Sequence, residues 1–158
     1  MKEQFGMENE HRRFMATALK EAMTASRRDE VPVGAVIVKG GAIIARAHNQ
    51  IEMLQDPTAH AEILAIGAAA NHLGSRRLEG CTIYVTLEPC PMCAGALVLS
   101  RIDRIVFGSF DPKMGACSTL YNIVQDDRLN HRIEVIAGVM DAESSSLLKE
   151  FFARKREQ

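Results

Sequence analysis

A layered α/β fold with a mixed sheet is what this sequence predicts. Segments with a helical apolar period alternate with short β-branched runs along the whole chain. One pair of those runs is joined by a two-glycine turn, so a hairpin is built into a sheet whose other strands are separated by helices. The length of 158 residues fits one domain at the usual ~100–200 residues per domain, so residues 1–158 are expected to form a single unit.

The elements follow in order. Residues 1–10 are polar and mixed in charge and predict a loose end. From about His11 to Arg28, apolar residues recur at Phe14, Met15, Ala18, Leu19, Ala22 and Met23, the spacing of an amphipathic helix. Pro32 and Gly34 end it. Val33 to Val38 is a strand buried on both faces, Lys39-Gly40-Gly41-Ala42 is the hairpin turn, and Ile43 to His48 is the returning strand. Asn49 to Pro57 is a polar connection. Asp56-Pro57-Thr58 signals a helix start with Thr58 as N-cap, and an Ala-rich helix runs on to Leu73 and stops at Gly74. Cys81 to Thr86 is the third strand. Pro91 to Leu99 is a short helix, so apolar that it is expected to be buried. Arg104 to Phe107 and Ile133 to Ala137 are the last two strands. Gly108 to His131 between them, with one apolar patch around Leu120 to Val124, reads as a long functional loop with a short helix. Asp141 to Arg156 is the final helix, with Asp141 as its cap.

Composition narrows the function classes. The chain is 47% apolar and 25% charged, which is ordinary for a globular protein. Its net charge of −1 supplies no global basic field. A nucleic acid would therefore be held by local patches and shape, which disfavours a long duplex footprint and suits a short loop read base by base. The N-terminus has no apolar signal region, and no apolar run approaches the ~20 residues a membrane helix needs. Four cysteines in such a chain read as metal ligands plus spares, and a cytoplasmic location is expected.

The chemistry is concentrated between Thr58 and Cys93. Thr58-Ala59-His60-Ala61-Glu62 lies at one end and Pro89-Cys90-Pro91-Met92-Cys93 at the other. One histidine and two cysteines are a donor set that zinc prefers, and three protein ligands leave the fourth position for water, as catalytic zinc sites do. With Pro91 opening a helix, Cys90 and Cys93 share one face of its first turn, where the partial positive charge favours thiolates. At a helix start His60 reaches the metal and Glu62 reaches its water, as general base and then general acid. The bland alternatives are a redox dithiol, which leaves His60 and Glu62 without a role, and a closed structural zinc site, which needs a fourth ligand from Cys81 or Cys117. Both of those read as small buried hydrophobes. His11, His48, His72 and His131 are given no metal role.

H-x-E followed by P-C-x-x-C is the signature of the zinc nucleobase deaminases. The blocks around it go further. Val31-Pro32-Val33-Gly34-Ala35-Val36, Asp56 to Glu62, Tyr84 to Cys90, Ser100-Arg101-Ile102, Phe107-Gly108, Asp111-Pro112-Lys113-x-Gly115, Asn130-His131-Arg132 and Phe151-Phe152 resemble the bacterial tRNA-specific adenosine deaminases over roughly Arg13 to Arg156. The resemblance implies a three-layer α/β/α fold with a five-stranded mixed sheet of the cytidine deaminase-like kind, one zinc per subunit, and a homodimer. It also implies hydrolysis of adenosine to inosine at the wobble position of a tRNA anticodon stem-loop, through a zinc-activated water. It places His60, Cys90 and Cys93 on the metal, Glu62 as the catalytic residue and Asn49 against the target nucleoside. Asp111, Lys113, Phe152 and Arg156 match positions that face the RNA. The family's usual glycines before the asparagine are replaced here by Ala45-Arg46-Ala47-His48.

Two rivals stay open on the sequence. One is a deaminase of a free base or nucleotide, of the guanine or cytosine type, which would share the zinc chemistry but would not need the block from Phe107 to Gly115 or a basic final helix. The other is a non-catalytic zinc- and RNA-binding partner, which the presence of Glu62 argues against.

Overall fold

A computed structural model describes residues 1–158. Its frame is a five-stranded sheet in the order β2-β1-β3-β4-β5, with β1 Gly34–Lys39, β2 Ala42–His48, β3 Cys81–Leu87, β4 Arg104–Ser109 and β5 Glu134–Ile136. β1 is antiparallel to β2 and β3, while β3, β4 and β5 are parallel, so the sheet is mixed as expected. The hairpin turns at Gly40 and Gly41, both with positive φ (58° and 77°), the type I′ geometry that glycine adopts without strain.

Alternation along the strands explains the layering. Ala35 and Ile37 of β1, Ile83 and Val85 of β3, and Ile105 and Phe107 of β4 point to one face. Val36 and Val38, Tyr84, and Val106 point to the other. Both sets are apolar, so both faces need cover. The first is covered by α3 (Ala61–Leu73) and α4 (Pro91–Ser100), the second by α1 (Lys2–Arg27) and α5 (Asp141–Arg156), giving three layers.

Several boundaries differ from expectation. Residues 1–10 are not a loose end: α1 begins at Lys2. That first stretch is exposed throughout, so it carries no apolar period, and the helix is continued by residues of high intrinsic propensity such as Lys, Glu, Gln and Met. Met23, expected on the apolar face, is exposed. The polar connection contains a one-turn helix, α2 (Ile51–Leu54), whose first amides, Glu52 N and Met53 N, donate to the buried Glu30 carboxylate at 2.8 and 3.1 Å. Thr58 does not cap α3. Its amide and hydroxyl both donate to Asp56 Oδ1, at 2.8 and 2.7 Å, which closes a local turn, and the N-cap is His60. Asp141 is the first residue of α5, after the N-cap Met140, and its carboxylate accepts from the Ser145 hydroxyl. α4 is only half buried: Cys93, Ala94, Leu97 and Ser100 face inward, whereas Leu99 is 79% exposed.

Candidate metal and catalytic site

Three chain exits converge on one edge of the sheet. β2 and β3 both run antiparallel to β1, and β4 runs parallel to β3, so all three strands leave at the same end. Asn49 follows β2, Glu88 follows β3 and Phe110 follows β4. The two helices that return across the sheet from β2 and β3 begin there, His60 as N-cap of α3 and Cys90 as N-cap of α4, with Pro91 in the first turn. Two positive helix ends therefore meet at one point, which favours anionic ligands.

At that point the ligating atoms of His60, Cys90 and Cys93 all lie within 4.8 Å of one another. His60 Nδ1 is 3.6 Å from Cys90 Sγ and 3.5 Å from Cys93 Sγ, so Nδ1 is the nitrogen that faces the sulfurs. The electrostatics match. The Cys93 thiol, donating to Cys90, holds the Cys90 thiol down to about 4 against its burial, with His60 adding to the effect. The hydrogen bond to Cys90 raises the His60 ring above its ordinary value, against its burial. Cys93, hydrogen-bonded to Cys90 and buried, is pushed up. Two sulfurs and one imidazole nitrogen in this compass fit a soft or borderline divalent ion such as zinc, and the three ligands leave one tetrahedral position open.

Glu62 is the second residue of α3 and only 4% exposed. Burial pushes its carboxyl up to about 6, the range in which one group can both take and return a proton near neutral pH. The two-residue spacing from His60 brings both to the site because His60 is an extended cap residue (φ −73°, ψ 150°) and Glu62 is already helical.

Asn49 is buried and ties the end of β2 to the start of α3. Its amide donates to the Val33 carbonyl at 3.1 Å, and its Oδ1 accepts from the Ala61 amide at 2.8 Å. That second bond fixes the orientation of the side chain, because only the oxygen can face an N–H, and it leaves Nδ2 free as a donor. Asn49, His60, Glu62 and Cys90 line one cavity of 220 Å³, walled by Val31, Val33, Ile51, Leu87 and Met114 and bordered by Glu88 and Asp111. This is room for one nucleobase, with apolar walls and a few convergent polar groups. A larger cleft of 610 Å³ lies beside it between the ends of α1 and α5, sharing Val31 and Ile51, and its lining includes no histidine or cysteine. Donor chemistry, not size, selects the smaller cavity.

The remaining expected residues fall around this centre. Asp111 borders the cavity, but its Oδ1 accepts from Lys113 N (2.9 Å) and Met114 N (3.2 Å) within its own turn. The Lys113, Phe152 and Arg156 side chains are exposed; Phe152 stands edge-on to the buried Phe151, with ring centroids 5.4 Å apart. Of the basic end, Arg154 is tied to Ser26 and Lys155 to Asp29. Cys81 and Cys117 are buried thiols outside the ligand cluster. His11 pairs with Tyr84, His48 with Glu21, and His131 with the Ile102 carbonyl.

Glu88 is the important residue that sequence reasoning missed. It is buried, and its carboxylate takes hydrogen bonds from the loop over residues 111–119. Burial pushes its carboxyl up, but the Thr119 hydroxyl and the backbone amides outweigh this and hold it below its ordinary value. The only signal in the sequence was a lone acid at the end of an apolar strand, beside Pro89 and Cys90.

A family model of MafB19-like deaminases matches residues 9–156. The tRNA-specific adenosine deaminase of Bacillus subtilis is 54% identical over 145 residues, covering 92% of this chain and 90% of the relative. That of Aquifex aeolicus is 51% identical over 143 residues, covering 90% and 94%. A solved structure from studies of A-to-I editing by tRNA:A34 deaminases at the wobble position of transfer RNA superposes with a TM-score of 0.83 at 46% identity, covering 86% of this chain and 99% of its own. A guanine deaminase from Nitrosomonas europaea, 24% identical, shares the fold with a TM-score of 0.79 over 90% of this chain and 84% of its own.

Proposed function

The chain belongs to the tRNA-specific adenosine deaminases, and on that premise we propose that it is the hydrolase that converts adenosine to inosine at the wobble position of a tRNA anticodon. The observation that carries this is the buried Glu62 beside the His60, Cys90 and Cys93 cluster, in a cavity sized for one base.

The three ligand side chains would hold zinc. When bound, zinc lowers the pKa of a water to roughly 7 and so makes a nucleophile available at neutral pH. The chain's own residues do the rest. Glu62 takes a proton from the attacking water and delivers it to N1 of the adenine as the new C6–O bond forms. It then carries the second proton to the exocyclic nitrogen, so that the C6–N bond breaks and ammonia leaves. Asn49 Nδ2 donates to an acceptor of the inserted nucleoside. Val31, Val33, Leu87 and Met114 exclude bulk water around the base.

The target base reaches this cavity only when splayed out of a single-stranded loop. Asp111, Lys113, Phe152 and Arg156 are the side chains we assign to the surrounding RNA, with Phe152 stacking a base, worth ~1–3 kcal/mol, and the cations meeting phosphates. We assign residues 1–158 to one deaminase domain, acting in the cytoplasm where a tRNA substrate is found. No helix is long and apolar enough to cross a membrane. The reading is tested with two anticodon stem-loops, one with adenosine at the wobble position and one with it a nucleotide away. Inosine in the first alone supports the reading, and inosine in both removes the wobble assignment.

Asn49→Asp tests the nucleoside contact. Aspartate keeps the acceptor for Ala61 N–H but loses the Nδ2 donor, so kcat/KM falls by roughly 10- to 100-fold, the effect of a lost buried hydrogen bond. The new carboxylate is buried with only the Ala61 amide as donor, so zinc content and melting are followed alongside, and Asn49→Ala, which loses the acceptor for Ala61 N–H, costs about 1 kcal/mol. Equal kcat/KM for Asn49→Asp and wild type would remove the contact.

We assign a homodimer to the exposed apolar face of α3 and α4, where Leu99, Met92, Ile66 and Ala96 meet solvent in a single chain. α4 carries no charged residue, an unusual surface unless a second copy covers it. Leu99→Glu should raise the dimer dissociation constant by at least about tenfold in sedimentation experiments. A wild-type chain that sediments as a monomer would refute the assignment.

A further inference from the structure

Glu88 stands where β3 passes into the metal-ligand turn, and its carboxylate has no part in the chemistry described above. It is 2% exposed and forms no ion pair. Its Oε1 accepts from the Asp111 amide at 3.1 Å and from the Thr119 hydroxyl. Its Oε2 accepts from the amides of Cys117, Ser118 and Thr119 at 3.1, 2.9 and 2.9 Å. All the donors come from one loop, residues 111–119. A buried carboxylate is tolerated only when its charge is met by such donors, and buried amides need acceptors in turn, so side chain and loop conformation depend on each other. The fit is close: a Cβ on Gly115 would lie 2.5 Å from Glu88 Cδ and Oε1 and 2.6 Å from the Asp111 carbonyl oxygen.

The same loop carries the mouth of the cavity. Asp111 and Met114 line it, and Lys113 lies between them. We propose that Glu88 is a positioning residue for substrate recognition: its carboxylate clasps loop 111–119 in the arrangement that presents Asp111, Lys113 and Met114 to the anticodon loop. This rests on the RNA reading of the site. Glu88 does not move protons, because both its oxygens are committed to the loop. It couples the rigid end of β3, which leads directly to Cys90, to the loop that admits the RNA.

The test is steady-state kinetics of the full zinc-loaded chain on an anticodon stem-loop, with zinc content measured for every variant. Glu88→Gln sets an NH₂ group against backbone N–H donors. Gly115→Ala pushes a methyl into the carboxylate. Thr119→Val removes the hydroxyl donor alone. Glu88→Gln and Gly115→Ala are expected to raise KM by about tenfold or more, the scale of buried hydrogen bonds lost from a charged group, with kcat falling much less and zinc unchanged. Thr119→Val shows the same signature in smaller measure, and it carries the test with Gly115→Ala if Glu88→Gln does not fold. A merely structural role would lower stability or zinc content without this split. A fall in kcat at constant KM, or no change in either, overturns the clasp. A wild-type chain that leaves the stem-loop untouched overturns the RNA reading itself, and is seen before any variant is compared.

Discussion

Replacing Glu62 with alanine leaves zinc bound and removes turnover. The ligands we assign to the metal are His60, Cys90 and Cys93, whose donor atoms lie within 4.8 Å of one another. Glu62 has a different task. It is buried, its carboxyl is pushed up to about 6, and it borders the 220 Å³ cavity. Hydrolytic deamination needs two proton movements on one face of the ring, and no other free acid or base lies in position for both: Glu88 is committed to its loop, and Asp111 to its own turn. General acid–base catalysis is typically worth 10²–10⁴-fold, and a group used twice lies toward the upper end, so kcat should fall by about 10⁴-fold. Glu62→Gln, which keeps the shape but cannot take a proton, should fall nearly as far. Near-normal turnover by either variant, with zinc retained, would refute the proton-transfer role.

Removing the metal is the second large effect. Stripping the chain with a chelator should abolish deamination and stoichiometric zinc should restore it, because a water with a pKa near 15.7 is not a nucleophile at neutral pH, while zinc lowers it to about 7. Cys90→Ala should lose both zinc and activity, unlike Glu62→Ala, which loses only activity. That contrast separates ligand from catalyst. Two of the three donors cap helices, so the protein should also melt lower without zinc. A stripped chain that turns over at the original rate would exclude a metal mechanism.

Residue type and spacing explain why so much of the site was legible. Soft ligands, a proline that can open a helix and an acid two residues from the histidine are local facts, and local facts survive folding. The strands were legible because both their faces are apolar, and the hairpin because Gly40-Gly41 matches the turn it makes. Part of what escaped was set by partners distant in sequence. Glu88 meets donors 23–31 residues away, and Asn49 caps α3 through an amide 12 residues on, a second duty beside the one assigned from resemblance. Thr58 carried a correct capping preference, but Asp56 won both of its donors. The first turns of α1 had no apolar period to read because they face only water. The apolar composition of α4 predicts burial, but composition does not distinguish a core from an exposed apolar surface, and Leu99 and Met92 are exposed.

Whether the zinc site acts on an adenosine within an RNA loop or on a free base is decided by offering it both. The zinc-loaded chain is given an anticodon stem-loop with adenosine at the wobble position, and in parallel free guanine, adenine and cytosine, with inosine and ammonia followed. Inosine in the stem-loop and no turnover of the free bases is the predicted result. Deamination of a free base with the stem-loop untouched would keep the metal site and Glu62 but contradict the tRNA assignment.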